Sequence, residues 1–154
     1  MSFSRKALLA LTGIAALAMP LAVAGSASAS TDARCTVTPL KPVFDHVNSS
    51  GEKVIKYETK VTCSAGRSIE ILDERRDHDN LSTDDFEGSN TYNLRFDSTE
   101  TVTKYVLAVL PDADGWGDDN EEMYHSVGFQ VTEDNGYVSQ WTNWEDSAIV
   151  TFHL

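Results

Sequence analysis

The sequence predicts an all-β protein, a two-sheet β-sandwich of about eight short antiparallel strands. Three observations carry this. Apolar and polar residues alternate with a period of two in short runs, and Gly, Asn, Asp, Ser and Pro cluster between the runs. After the first 29 residues no stretch carries a helical period of apolar positions.

Those first residues read as a signal helix that is removed. Arg5 and Lys6 supply a positive start, and Ala7 to Met19 are apolar apart from Thr12 and Gly13, until Pro20 breaks the run. The run is shorter than the ~20 residues a membrane-spanning helix needs. Ala27-Ser28-Ala29 then offers the small side chains of a cleavage site, so cut after Ala29 the chain would be exported. Residues 30–154 remain, about 125 residues, which is the size of one domain with one modest core.

The chain has 12 basic and 24 acidic residues, a formal charge of −12, and loss of the signal segment moves it to −14. Such a surface repels the phosphates of nucleic acids and anionic membranes, and both are excluded as partners of the processed chain.

Cys35 and Cys63 are the only cysteines, and in an oxidising compartment they are expected to pair. Residues 54–63 alternate, with Ile55, Tyr57, Thr59, Val61 and Cys63 on one face, and residues 35–46 form a second extended stretch. The turn residues 47–51 between them imply a hairpin centred on Ser49, which sets the two cysteines opposite one another. A disulfide there should contribute ~3–4 kcal/mol through loop closure. Pro39 and Pro42 cannot donate ladder hydrogen bonds, so the first strand is expected to lie at an edge or to bend.

Further strands are expected at 67–73 (Ile69 and Ile71 inward), 91–97 (Tyr92, Leu94 and Phe96 inward) and 101–110, the last apolar on both faces and so read as central and most buried. Residues 124–132 place Val127, Phe129 and Val131 on one face, and Glu133-Asp134-Asn135-Gly136 turns the chain into a strand at 137–141, with a two-residue turn or a three-residue loop equally open. Alternation over 148–154 closes the fold. The sandwich is immunoglobulin-like in shape only: immunoglobulin cysteines join opposite sheets around a buried Trp, whereas these bracket adjacent strands.

Two connections, 75–90 and 111–123, are longer than a compact sandwich requires and are the expected contact surface. The second holds Asp112, Asp114, Asp118, Asp119, Glu121 and Glu122, six carboxylates suited to a hard cation such as Ca²⁺. The spacing departs from an EF-hand, since Trp116 and Met123 fall where ligands belong; a solvated acidic loop is the competing reading. Trp116, flanked by glycines, and Tyr124 are the aromatic residues expected to meet a partner, whereas Trp141 and Trp144 are expected to cap the core.

No catalytic residue is assigned. His78 lies between Asp77 and Asp79, but neighbours on a strand point to opposite sides, and His46, His125 and His153 stand singly with no zinc-hydrolase spacing or nucleophile elbow. The expected function is that of a secreted, non-enzymatic binding module for a protein or carbohydrate partner. The alternatives are a calcium-stabilised extracellular module and, behind it, a small secreted hydrolase.

Overall fold

A computed structural model describes residues 29–79, 83–111 and 120–153. The expected signal segment, residues 1–29, therefore lies outside the described residues except for Ala29. The described residues form ten strands and no helix: β1 (Ser30–Asp32), β2 (Cys35–Pro39), β3 (Val43–Val47), β4 (Lys53–Cys63), β5 (Arg67–Asp77), β6 (Asp85–Phe96), β7 (Glu100–Val109), β8 (Asn120–Glu133), β9 (Glu145–Asp146) and β10 (Val150–His153). They build two antiparallel five-stranded sheets, as the alternation predicts.

In the first sheet β4 is central. β7 runs along one side of it, and β2 and β3 lie end to end along the other, with β1 outside β2. The hairpin turns about Ser49 as expected, through a three-residue loop: Asn48 N–H donates to Glu52 O (2.9 Å), and Gly51, at φ 87°, takes the left-handed position. Cys35 and Cys63 are direct cross-strand partners and are disulfide-bonded. The first strand bends where its prolines stand: it is interrupted over 40–42, where Leu40 N–H still donates to Glu58 O (2.8 Å), and β3 resumes with a register shift between Phe44 and His46.

In the second sheet β5 lies between β6 and β8, and β9 and β10 take separate stations on the far side of β8. Both β5 and β6 extend well into the expected loop 75–90, which shrinks to residues 78–84 because the charged run of β5 stays in the ladder, with Glu74 and Arg76 on its outer side. Likewise β8 begins at Asn120, so only the earlier part of 111–123 connects strands.

Residues 101–110 do not form the central strand. β7 pairs with β4 alone among the described residues, and Tyr105, Leu107 and Val109 on its outer face are 43–59 % exposed. Apolar residues on both faces were the reason for expecting burial, yet within β7 only Val102, Val106 and Ala108 pack against the core, joined by Leu110 just past its end. The most buried strand is β8, in which Met123 through Phe129 are all buried.

Between the sheets, Cys35, Val37, Val61, Cys63, Ile69, Ile71, Phe96, Val127, Phe129 and Val131 form one apolar cluster, and Ile55, Tyr57, Leu110 and Met123 form a second. On β4, β5 and β8 the positions between the two clusters are polar: Thr59, Asp73 and His125, each at 0 % exposure. This layer crosses the sandwich. Asp73 Oδ2 accepts from the Thr59 hydroxyl (2.9 Å), Asp73 Oδ1 lies 2.9 Å from His125 Nδ1, and His125 Nε2 donates to Leu40 O at 2.8 Å. The bend at 40–42 thus has a structural partner, because it turns a carbonyl inward to a buried imidazole.

Candidate binding groove

The expected strand 137–141 is present only as one isolated bridge, Thr132 to Val138. Its turn is the three-residue loop of the two alternatives, with Glu133 N–H donating to Tyr137 O (2.9 Å) and Gly136 at φ 85°. Beyond it, the chain follows the edge of β8 through hydroxyl groups. Ser139 donates its N–H to Val131 O (2.8 Å) and accepts the Val131 N–H on Oγ (3.1 Å). Thr142 does the same with Phe129 (2.9 and 3.1 Å), and Ser147 with His125 (2.8 and 3.1 Å).

In a regular antiparallel ladder the second bond of each pair would go to a main-chain carbonyl. With a side-chain oxygen in that place, Gln140–Trp141 and Asn143–Trp144 stand off the ladder. Their aromatic rings are consequently not core caps: Trp141 is 47 %, Trp144 48 % and Tyr137 58 % exposed. Trp144 lies over Gly128 on the outer face of the second sheet, where a Cβ would already stand 3.7 Å from the indole.

Tyr137 and Trp141 face β1. Together with residues 139–143 and Ser30, Thr31 and Asp32 they line a shallow groove of about 450 Å³. Several of its polar groups are occupied: Thr31 shares a hydrogen bond with Thr36 (2.9 Å), and the hydroxyls of Ser139 and Thr142 hold β8. The side chains of Asp32, Gln140 and Asn143 make no hydrogen bond or ion pair among the described residues.

The residues singled out in the sequence lie elsewhere. Tyr124 does not present its ring: it is 8 % exposed, and its hydroxyl donates to Asp84 Oδ2 at 2.5 Å. Burial and this bond push the Tyr124 phenol well above its ordinary value; the same bond, with His78 Nδ1 at 3.1 Å, holds the Asp84 carboxyl below the usual range. His78 is thereby a tether for the 78–84 connection, and its own N–H donates to Glu122 O.

Glu121 is buried on the inner face of β8 and Glu122 lies on the opposite face, so these two carboxylates diverge. Asp112, Asp114, Asp118, Asp119 and Trp116 lie outside the described residues. Among the described residues no group of three or more His, Cys, Asp or Glu side chains converges as a metal site.

The Thr59–Asp73–His125 layer has the residue types of a hydrolytic triad in the wrong order. Activation of a hydroxyl nucleophile requires it to bond the imidazole, with the carboxylate behind. Here the hydroxyl bonds the carboxylate, the far imidazole nitrogen bonds a carbonyl, and all three side chains are sealed from solvent.

No protein-family model matches the chain, and comparison with curated proteins finds no similar sequence. The functional reading therefore stands on the groove itself.

Proposed function

We propose that this chain is an extracellular, non-enzymatic recognition module that engages its partner through the edge segment 137–144. The observation that carries the reading is the exposure of Tyr137, Trp141 and Trp144 on a segment whose backbone is fixed to β8. Rigid aromatic side chains offer large contact area at small entropic cost, and a site on a scaffolded segment is held ready for its ligand. The Cys35–Cys63 bond supports an oxidising, extracellular location, as does the signal-like start of the sequence.

The test is retention of the purified protein on insoluble extracellular matrices: cellulose, chitin, bacterial cell-wall sacculi and collagen. At least one should retain it, and the variant Tyr137→Ala/Trp141→Ala/Trp144→Ala should wash through with its melting temperature preserved. Equal retention of the variant and the parent on every matrix would overturn the proposal.

A further inference from the structure

We infer that the ligand of the groove between β1 and residues 137–143 is a neutral oligosaccharide, an inference that rests on the binding-module reading above. The apolar part of the site consists of the rings of Tyr137 and Trp141, 58 % and 47 % exposed. A flat aromatic face fits the C–H face of a pyranose ring. It fits a proline-rich peptide as well, so the aromatics alone do not choose between them.

The polar part chooses. Its free side chains are one carboxylate, Asp32, and two carboxamides, Gln140 and Asn143. An ionised carboxylate only accepts hydrogen bonds, whereas each carboxamide both donates and accepts. A proline-rich chain lacks most of its N–H groups and presents mainly carbonyl acceptors, which would set acceptor against acceptor at Asp32. Sugar hydroxyls donate and accept at once. Vicinal hydroxyls can donate a pair of bonds to Asp32 while others exchange both roles with Gln140 and Asn143.

Charge narrows the class further. The processed chain has a formal charge of −14 and the groove adds Asp32 without a basic side chain among its lining residues, so uronic acids, sulfated glycans and phosphorylated ligands are repelled. The groove is shallow, at about 450 Å³, and lies along the sandwich edge, which suits a segment of a chain lying across it.

The test uses the full secreted protein and three probe sets in solution: neutral cello-, chito- and xylo-oligosaccharides; oligogalacturonate; and a proline-rich peptide. Binding is read by titration calorimetry and by tryptophan fluorescence. At least one neutral oligosaccharide should bind and should release the protein from the matrix that retains it. Trp141→Ala should weaken that binding about tenfold, the effect of losing ~1.4 kcal/mol of stacking. Trp141→Phe should keep most of it, Asp32→Asn should weaken it, and each variant should melt with the parent.

Oligogalacturonate should not bind. Binding of the peptide or of oligogalacturonate in place of neutral sugars would overturn the inference, as would neutral-sugar binding that Trp141→Ala leaves unchanged. Matrix retention that depends on the three aromatic residues but that no neutral oligosaccharide competes would sink the glycan inference and leave the module reading standing. Loss of that dependence would sink both.

Discussion

His125 Nδ1 and Asp73 Oδ1 lie 2.9 Å apart in the middle of the sandwich, neither side chain reaching solvent. The far imidazole nitrogen faces the Leu40 carbonyl, which can only accept, so Nε2 carries a proton. Asp73 also accepts from Thr59, and the three side chains with Leu40 O tie the two sheets together.

Removing one member leaves the other polar group buried without its partner, which costs ~1–5 kcal/mol, the larger values where the group left behind is charged. His125→Ala and Asp73→Ala are therefore expected to lose that much in chemical denaturation, a large share of a total near 5–15 kcal/mol. Asp73→Leu combined with His125→Leu should be milder than the two single losses added together, because no lone buried charge remains. Strict additivity, or single losses below ~1 kcal/mol, would remove the layer from the account of stability.

The strands of this fold were legible wherever a strand has one wet and one dry face. Cys35 and Cys63 could be set opposite each other because alternation over 54–63 and the turn at 47–51 fix the register together. β7 misled because apolar Tyr105, Leu107 and Val109 on a solvent face read like burial. The groove was not legible. Ser139, Thr142 and Ser147 follow no strand period, and a hydroxyl that replaces a ladder carbonyl leaves no pattern in the chain; Trp141 and Trp144 then look like core aromatics. β1 carries only three residues, too few for alternation to register. The buried His125 was hidden for another reason: Asp73 and Leu40, its partners, are 52 and 85 residues distant.

The hydroxyl ties make a second prediction. Thr142→Val keeps the side-chain shape but removes the acceptor for Phe129 N–H, and Ser139→Ala does the same to Val131 N–H. Each leaves a donor unsatisfied at the edge of the core, at a cost of ~1–3 kcal/mol. Hydrogen exchange at the Phe129 and Val131 amides should accelerate, while the amides of Ile69 and Ile71 on β5 change less. Uniform change across the second sheet would mean that the ties do not fix this edge in particular.

The Tyr124–Asp84 bond predicts acid sensitivity of the 78–84 connection. The Asp84 carboxyl is held below its ordinary value of 3.8, first by the Tyr124 hydrogen bond. A depressed carboxylate contributes stability that is present above the unfolded value and lost as the pH falls through the folded one. The stability difference between the parent and Tyr124→Phe should therefore be constant above pH 3.8 and shrink below it. Thermal melts across this range measure it, and a difference that stays constant down to the acid limit would show that Asp84 does not supply it.

The hairpin between β1 and β2 turns through Ala33 and Arg34, which sit at φ 43° and 63° although neither is glycine. A side chain in this region costs ~1–2 kcal/mol, because Cβ crowds the following carbonyl. The surroundings hold the turn: Arg67 Nε donates to Ala33 O (2.7 Å), Ala33 packs against the core, and Ser64 N–H donates to Arg34 O. The Arg34 side chain itself is exposed and makes no hydrogen bond or ion pair among the described residues, so glycine can replace it without loss of such a contact. Glycine removes the steric cost and returns ~0.4–1 kcal/mol of it through the freer unfolded chain. Arg34→Gly is accordingly expected to stabilise the protein by up to about 1 kcal/mol, with Arg34→Asn between the two because Asn tolerates the left-handed region. Because either variant leaves the turn in place and Asp32 at the groove, neither should weaken binding of the proposed ligand. A lower melting temperature for Arg34→Gly would mean that the arginine contributes more to this hairpin than its conformation costs.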